Sequence, residues 1–202
     1  GFGRQTLDVV TAINEAEGEK HYELVGVIDD DPSPLNLQRL QQRRERYLGS
    51  LEGYLETGQV PDSYVIAIGA PAVRRRMAEQ LDSYGWRAAT LVHPSAVIGT
   101  LQDWGPGAVV CGGTHFSPNI RLGRHVHVNP NSAIGHDTVL GDFVSVNLAA
   151  SVSGNVKVGP GALIGGGAFV LQDLEIGQDS TVGAGAVETH SVPAGQTVVG
   201  VP

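Results

Sequence analysis

A period of six residues governs the second half of the chain. Every sixth residue from position 98 to position 182 is apolar. The fifteen positions are Ile98, Trp104, Val110, Phe116, Leu122, Val128, Ile134, Leu140, Val146, Val152, Val158, Ile164, Val170, Ile176 and Val182. Apolar residues make up 41% of the chain, so chance would fill one such phase about once in 10⁶. Neither a helix nor a sandwich strand has a period of six, so this half must fold as a repeat structure.

Each repeat predicts a short strand and a tight turn, and three repeats close one coil of eighteen residues. The apolar residue is expected to point into the coil. Small residues two positions earlier, such as Ala108, Ser132, Ala150, Ala162 and Ala168, would fit beside it. Glycine follows the apolar residue at 99, 105, 123, 135, 141, 159, 165, 177 and 183, where a positive φ or close packing is needed. Residues 93–202 are therefore predicted to form an all-β parallel β-helix.

The first half of the chain, residues 1–92, alternates helical and strand patterns. The predicted helices cover 6–16 and 71–84, and the predicted buried strands cover 22–28, 64–69 and 86–92. The polar, Arg/Gln-rich segment 33–50 is interpreted as a solvated insertion with some helix. Strands that alternate with helices predict a parallel sheet with right-handed crossovers, so we expect an α/β Rossmann-like domain.

Charge and composition narrow the classes of partner. The formal net charge of −8 argues against nucleic acid or an anionic membrane surface, since either needs a basic face. The apolar runs are too short for a membrane span, and no signal peptide is apparent. The single cysteine, Cys111, cannot form an intramolecular disulfide, which fits a cytoplasmic protein or leaves the compartment open. The chain opens at Gly1 without methionine, so we expect that its natural N-terminus is missing.

Several short motifs together resemble the NeuD/PglD-type sugar acyltransferases, a family of hexapeptide-repeat, left-handed β-helix enzymes. The motifs are Gly1-Phe2-Gly3-Arg4, Asp29-Asp30, Ala67-Ile68-Gly69, Leu91-Val92-His93-Pro94-Ser95-Ala96, Asn129, Ile134-Gly135-His136-Asp137, Gly154-Asn155-Val156 and Val199-Gly200-Val201-Pro202. The resemblance covers almost the whole chain. It implies a left-handed coil, a homotrimer with active sites between neighbouring columns, and acetyl-CoA as co-substrate. No metal site is predicted.

The resemblance implies catalytic roles for three residues. His136 would be the general base, Asp137 would orient its ring, and the backbone N–H of Gly154 would bind the thioester carbonyl. The spacing agrees, because eighteen residues separate His136 from Gly154 and the two should stack one coil apart. His136 could instead be a solvated turn residue, and His125 and His127 are the alternative bases.

The later coils are expected to bind acetyl-CoA. Small residues at Gly165, Gly166, Gly183, Ala184 and Gly185 would let the pantetheine arm lie against the column, although each could be an ordinary corner residue. Ser145 stands where relatives place a second histidine, so the contact with acetyl-CoA or the acceptor at this position is expected to be weaker or to come from another residue.

Two further residues of the coil have competing interpretations. Asn129 should stack under Asn147, either as a structural asparagine ladder or as a contact to the acceptor sugar. Cys111 is interpreted as a buried filler, which favours direct attack in a ternary complex over ping-pong transfer.

In the first half, the resemblance implies a site for the nucleotide sugar. Gly1 and Gly3 would let phosphates approach a helix N-terminus, although they could merely form a turn. Asp29 and Asp30 end a predicted strand, where open α/β sheets bind ligands, but they could be solvated turn acids. Gly69 ends the next predicted strand, 64–69, and is also expected to contact the nucleotide sugar.

The leading interpretation is an acetyl-CoA-dependent N-acetyltransferase acting on a nucleotide-linked amino sugar, expected to be a 4-amino-deoxy sugar of bacterial glycan biosynthesis. O-acetylation of a sialic acid or similar sugar is the second interpretation. A β-helix scaffold without catalytic activity is the third.

Overall fold

The computed structural model describes residues 2–16 and 21–201. The helices are α1 (Phe2–Ala16), α2 (Pro34–Gln42), α3 (Leu51–Glu56) and α4 (Pro71–Ser83). Two-residue strands follow: β1 (Leu91–Val92), β2 (Val97–Ile98), β3 (Asp103–Trp104), β4 (Val109–Val110), β5 (His115–Phe116), β6 (Arg121–Leu122), β7 (His127–Val128), β8 (Ala133–Ile134), β9 (Val139–Leu140), β10 (Ser145–Val146), β11 (Ser151–Val152), β12 (Lys157–Val158), β13 (Leu163–Ile164), β14 (Phe169–Val170), β15 (Glu175–Ile176), β16 (Thr181–Val182), β17 (Val187–Glu188) and β18 (Thr197–Val198).

The strands form three parallel sheets that are the sides of a β-solenoid. The first sheet has the order β1-β4-β7-β10-β13-β16-β18, the second β17-β14-β11-β8-β5-β2, and the third β15-β12-β9-β6-β3. Val110 pairs with Val128, and Val128 pairs with Val146, so each coil contains eighteen residues. The predicted coil length and parallel pairing are confirmed.

The apolar series fills the interior of the column. Thirteen of its fifteen members are at most 4% exposed, and the small residues two positions before them are buried as well. The first member, Ile98, is 37% exposed, and Trp104 is half-buried but packs against the core and the ring of Phe116 at 5.2 Å, so these two are covered less than the rest. Ile98 lies on β2, the edge strand of the second sheet, where no further coil of that sheet covers it.

The glycines after the apolar residues allow close packing between coils. A Cβ atom on Gly135 would lie 2.4 Å from the backbone nitrogen of Gly154, a distance that no side chain can occupy. The left-handed backbone conformation occurs two residues later in the corner, for example at Asp137 with φ 60°. Close packing is therefore the reason for glycine at these positions.

The N-terminal region contains the predicted helices, but of the three predicted strands only the end of 86–92 forms one, as β1. Helix α4 matches the predicted helix over 71–84, and α2, capped by the Ser33 hydroxyl, lies in the polar segment. Helix α1 begins at Phe2, earlier than predicted, so Gly3 lies inside it.

The other two predicted strands are replaced by isolated parallel β-bridges, which join Val27 to Tyr47 and Tyr64 to Ala88. Within 22–28, Val27 alone bonds through its main chain to the neighbouring segment 46–49: its N–H donates to Arg46 O at 2.8 Å, and its carbonyl accepts from Leu48 N at 2.9 Å. Val25 of the segment 22–28 is 45% exposed. The expectation of fully buried, continuous strands was therefore wrong, because the partner segment meets 22–28 over too short a length to form a ladder.

Helix α4 fixes the N-terminal region to the solenoid through Arg74, whose side chain is 0% exposed. Its Nε donates to the carbonyl of His125 at 2.9 Å, and its Nη2 donates to the carbonyl of Phe143 at 2.6 Å. Nη1 donates to the carbonyl of Ile68 at 2.8 Å. Burial lowers the pKa of Arg74 to about 10. The N-terminal region therefore packs against the first sheet and its corner with the third sheet.

Within residues 2–16 and 21–201, no helix is long and apolar enough to cross a membrane. The same residues contain no group of three His, Cys, Asp or Glu side chains arranged to hold a metal ion.

Candidate functional site

His136 lies in a corner of the solenoid between β8 of the second sheet and β9 of the third sheet. Its side chain is 66% exposed. Its Nδ1 atom lies 2.7 Å from Oδ2 of Asp137, which takes the left-handed conformation that asparagine and aspartate tolerate. The corner therefore presents a solvent-accessible imidazole paired with a carboxylate.

The pairing determines which ring nitrogen of His136 carries the proton. Hydrogen bonds from Asn119 and then from His136 hold the pKa of Asp137 below its ordinary value, so its carboxylate is ionised near neutral pH. An ionised carboxylate only accepts hydrogen bonds, so Nδ1 must be the donor. Nε2 of the neutral ring then has a free lone pair, as a general base requires.

Gly154 lies directly against the imidazole. The coils pair with Ala133 opposite Ser151, and Asn155 N donates to the carbonyl of His136 at 2.7 Å. A Cβ atom on Gly154 would lie 2.6 Å from Nε2 of His136. The predicted stacking is confirmed, and Nε2 faces the backbone of Gly154.

The alternative bases, His125 and His127, are buried. His125 is 1% exposed and His127 is 0% exposed. The ring of His125 stacks between Tyr64, at 6.0 Å, and Phe143, at 5.6 Å. Burial lowers the pKa of His125 to about 4, and burial likewise lowers the pKa of His127. Neither ring is accessible to a substrate in this structure.

The predicted cofactor residues beyond Gly154 lie at another corner, between the first and second sheets. Gly165 is packed against the next coil, since its Cβ would meet the nitrogen of Ala184 at 2.5 Å. Gly166 is half-buried, and Ala184 is exposed. Within one chain, the second sheet separates this corner from His136.

Asn129 stacks with Asn147 at the same corner. It is 5% exposed, and its Nδ2 donates to the carbonyl of Val146 at 3.1 Å and to Oδ1 of Asn147 at 3.3 Å. The asparagine ladder is thus present, and the contact with an acceptor sugar stays a prediction.

Ser145 joins the solenoid to the N-terminal region. It is 1% exposed and pairs with His127 in the neighbouring coil, as its spacing predicted. Its hydroxyl donates to the carbonyl of Gly69 at 3.1 Å and accepts from Nη2 of Arg74 at 3.0 Å. Ser145 thereby holds the end of segment 64–69, while its contact with acetyl-CoA stays a prediction.

The other predicted substrate residues lie apart from His136 in one chain. Oδ1 of Asp30 accepts from the first amide of α3, on Leu51, at 2.8 Å, and Oδ1 of Asp29 accepts from Asp31 N at 3.1 Å. A Cβ on Gly3 would lie 3.7 Å from the carbonyl oxygen of Ala67. Gly1 lies outside the described residues.

Cys111 is free and buried. It packs with Val9, Ile13, Leu91 and Val109, and burial raises the pKa of its thiol to about 11. A protonated, enclosed thiol is a poor nucleophile.

Two residues that contribute to this arrangement were absent from the sequence predictions. Asn119 donates to Asp137, and eighteen residues separate the two, so the coil count could have found it. Arg74 shares the buried face of α4 with Ala78 and Leu81. An arginine on an apolar helical stripe is the signal that would have marked it.

Comparison with known proteins gives matches to both halves of the chain. The family described as the PglD N-terminal domain matches residues 1–81. The GDP-perosamine N-acetyltransferase of Escherichia coli O157:H7 is 30% identical over 144 residues, which are 71% of this chain and 62% of that protein. The chain therefore spans less than two thirds of this curated relative.

Two solved structures superpose on nearly the whole chain. WeeI from Acinetobacter baumannii AYE is 30% identical, with a TM-score of 0.81 and coverage of 99% of this chain and 92% of that one. The acetyltransferase domain of PglB from Neisseria gonorrhoeae FA1090, in complex with acetyl coenzyme A, is 27% identical, with a TM-score of 0.85 and coverage of 99% and 92%. With identity of this level across both halves of the fold, the chain belongs to the NeuD/PglD-type family of sugar acyltransferases.

Proposed function

We propose that this protein transfers the acetyl group of acetyl-CoA to the amine of a nucleotide-linked amino sugar, with a 4-amino-deoxy sugar as the acceptor. The observation that carries the proposal is the exposed His136–Asp137 pair with Nε2 directed at Gly154. The named activity of the E. coli relative and the acetyl coenzyme A complex of the PglB domain support the same chemistry.

In the proposed reaction, His136 is the general base and Asp137 holds its Nδ1 proton. Nε2 accepts a proton from the sugar amine as the amine nitrogen attacks the thioester carbon. The backbone N–H of Gly154 donates to the developing oxyanion. When the carbon–sulfur bond breaks, the proton on Nε2 passes to the departing thiolate, so the products are the amide and free coenzyme A.

Direct attack in a ternary complex follows from the state of Cys111. A ping-pong route would need an accessible thiolate, whereas this thiol is buried and its pKa is raised to about 11. The acetyl group therefore passes from acetyl-CoA to the acceptor in one transfer.

A homotrimer would complete the site. The N-terminal region packs on the first sheet and its corner with the third, whereas His136 occupies the corner opposite the first sheet. A nucleotide sugar held by one chain therefore needs a neighbouring column to bring His136 to it.

The outer faces of the sheets differ in a way that supports this assembly. On the second sheet, Val97 is 55% exposed and Phe169 is 42% exposed. On the third sheet, Lys157 and Glu175 form an ion pair at 3.2 Å, as suits a face in water. The apolar second sheet is the proposed subunit contact, and analytical ultracentrifugation should give three times the 21.1 kDa chain mass.

The nucleotide sugar is assigned to residues 1–92, which we interpret as a Rossmann-like domain preceding a left-handed coil over 93–202. Gly1 and Gly3 would admit phosphates at the start of α1, and Asp29, Asp30 and Gly69 would contact the base or sugar. The approach of Gly3 to Ala67 supports this, because it brings the start of α1 beside the segment that ends at Gly69.

The acetyl-CoA arm is assigned to the corner between the first and second sheets. Gly166 and Ala184 leave space for a pantetheine chain there, and Gly165 keeps the corner narrow. Asn129 lies at the same corner and is the proposed contact to the acceptor sugar. Ser145 lies beside this corner beneath the N-terminal region, 1% exposed and bonded to Gly69 and Arg74, so a contact with acetyl-CoA would require that region to move. In the trimer, this corner of one column would approach the His136 corner of the next.

Thermal shift with GDP-, UDP- and CMP-linked sugars tests the acceptor class. A ligand at about a hundredfold excess over its Kd adds about 2.7 kcal/mol to the free energy of unfolding. We expect GDP- or UDP-linked 4-amino sugars to stabilise the protein, and mass spectrometry with NMR of the product to place the acetyl group on nitrogen. Stabilisation by free sialic acid alone, with acetyl on oxygen, would contradict N-acetylation.

A further inference from the structure

A column of asparagine and aspartate residues runs along the corner that carries His136. The four members are Asn119, Asp137, Asn155 and Asp173, with φ values of 61°, 60°, 56° and 62°. Eighteen residues separate consecutive members, so they occupy equivalent positions in successive coils. Asparagine and aspartate suit this position because their short polar side chains tolerate the left-handed conformation.

The hydrogen bonds in this column connect Asn119 to His136 through Asp137. Nδ2 of Asn119 donates to Oδ1 of Asp137 at 2.5 Å. The other oxygen of the same carboxylate, Oδ2, lies 2.7 Å from Nδ1 of His136. The two oxygens of Asp137 therefore have different partners, and together these partners fix the plane of the carboxylate.

The carboxylate of Asp137 needs such a restraint. Its side chain is 50% exposed and that of His136 is 66% exposed, so water competes for every hydrogen bond between them. Without Asn119, rotation about the side chain of Asp137 could turn Oδ2 away from the ring. Asn119 is also the first cause of the lowered pKa of Asp137, so it favours the ionised form that accepts the Nδ1 proton.

We propose that Asn119 is a positioning residue for acetyl transfer, which acts by holding Asp137 so that the ring of His136 keeps its proton on Nδ1 and its lone pair on Nε2. The proposal rests on the proposed function, in which His136 is the base. The side chain of Asn119 donates to Asp137, so its effect on catalysis passes through Asp137.

A second Asn–Asp hydrogen bond in the same column serves as a control. It shows how much such a bond contributes to the stability of the corner when no histidine is involved. Two coils further on, Nδ2 of Asn155 donates to Oδ1 of Asp173 at 2.7 Å, with the same backbone geometry. The residue before Asp173 is Gln172, so this pair orients no imidazole. Loss of the second bond should change corner stability alone.

The test compares Asn119→Gly with Asp173→Gly in the full chain, since glycine adopts the left-handed conformation without strain. We expect Asn119→Gly to lower kcat about tenfold, a fraction of the about 10²-fold or greater loss expected when the base is removed. The KM values for both substrates should stay within about twofold of wild type. Asp173→Gly should keep the wild-type kcat, and the two variants should unfold at similar temperatures.

A double-mutant cycle with Asp137→Asn shows whether Asn119 acts through Asp137. If it does, Asn119→Gly has no further effect on kcat in the Asp137→Asn background. Equal kcat losses in both backgrounds would overturn the proposal, as would a wild-type kcat for Asn119→Gly.

A spectroscopic measurement distinguishes failure of this inference from failure of the proposed function. Nitrogen-15 NMR of the imidazoles, with His136 assigned by comparison with His136→Ala, reports which ring nitrogen is protonated whether or not the protein is active. Wild type should show the Nδ1-protonated tautomer, and Asn119→Gly should shift His136 towards the mixture found in free histidine. An unchanged tautomer in Asn119→Gly would overturn the positioning role even in an active enzyme.

Discussion

Replacement of Gly154 by alanine tests the geometry of the His136 corner most sharply. The new Cβ would lie 2.6 Å from Nε2 and 2.7 Å from Cε1 of the imidazole, whereas carbon contacts are favourable at about 3.5–4.0 Å. The ring must therefore retreat by about 1 Å. A displacement of this size at a reacting group can lower the rate about 10²-fold, so we expect kcat to fall by about that factor.

Stability should respond much less than activity to this substitution. The His136 side chain is 66% exposed, so the ring can swing into water without leaving a cavity. Gly154 lies outside the left-handed region, so alanine adopts its backbone conformation, and restriction of the unfolded chain favours folding by about 0.4–1 kcal/mol. The free energy of unfolding, measured by guanidinium titration, should change by less than about 1 kcal/mol.

The assay is the steady-state release of coenzyme A thiol, with acetyl-CoA affinity measured by calorimetry. The control repeats the substitution in the His136→Ala background, where no ring is present to collide with Cβ. Acetyl-CoA should then bind Gly154→Ala/His136→Ala as tightly as His136→Ala alone. Wild-type turnover of Gly154→Ala would refute the reasoning, as would a collapse of acetyl-CoA binding in the double variant.

The remaining predictions concern buried groups of the scaffold. Arg74→Met should destabilise the protein by about 2–6 kcal/mol in guanidinium titration, because the buried carbonyls of His125 and Phe143 lose their donors at about 1–3 kcal/mol each. A loss below about 1 kcal/mol would contradict the role of Arg74 in fixing the N-terminal region to the solenoid. The lowered pKa of His125, about 4, means that the unfolded chain binds more protons than the folded one between pH 4 and about 6.5. The free energy of unfolding should therefore decrease as the pH falls through this window, by up to about 3 kcal/mol for this group, and His125→Phe, which keeps the ring stack, should show a shallower dependence in thermal melts at pH 7 and 5. An identical change in melting temperature between pH 7 and pH 5 for wild type and His125→Phe would show that His125 does not cause the pH dependence. Cys111→Ser should keep kcat within about twofold of wild type, since the thiol takes no part in direct attack; an inactive, folded variant would revive ping-pong transfer.

The solenoid could be predicted in detail from the sequence because each two-residue strand places one apolar residue at the same position of every six-residue repeat. One side chain per hexad points inward, as Val128 and Val146 do, and the next coil repeats it eighteen residues later. The same count placed Gly154 over His136. The exposure of Ile98 could not be predicted, because the six-residue period does not show which coil lies at the end of the column.

The strands of the N-terminal half could not be predicted with the same success. An apolar run such as 22–28 indicates a strand only when a partner of similar length lies beside it, and here the contact reduces to the bridge from Val27 to Tyr47. Partners that are distant in sequence decide that outcome, and a local pattern does not contain them.

The buried role of Arg74 escaped the sequence for a related reason. Its acceptors are main-chain carbonyls of His125 and Phe143, 51 and 69 residues away. Every residue has a main-chain carbonyl, so no sequence motif can mark which carbonyls will accept from a buried arginine. Asn119 was predictable in principle, because the coil count reaches it from Asp137, but its role depends on the side-chain orientation at the corner.

The most direct test of the account is thiol release from acetyl-CoA with GDP- and UDP-linked 4-amino sugars as acceptors, comparing wild type with His136→Ala. We expect turnover with one of these acceptors and a loss of at least about 10²-fold in kcat for the variant, with acetyl-CoA binding retained. Turnover by His136→Ala at the wild-type rate would contradict the account, because the exposed imidazole against Gly154 would then take no part in the reaction.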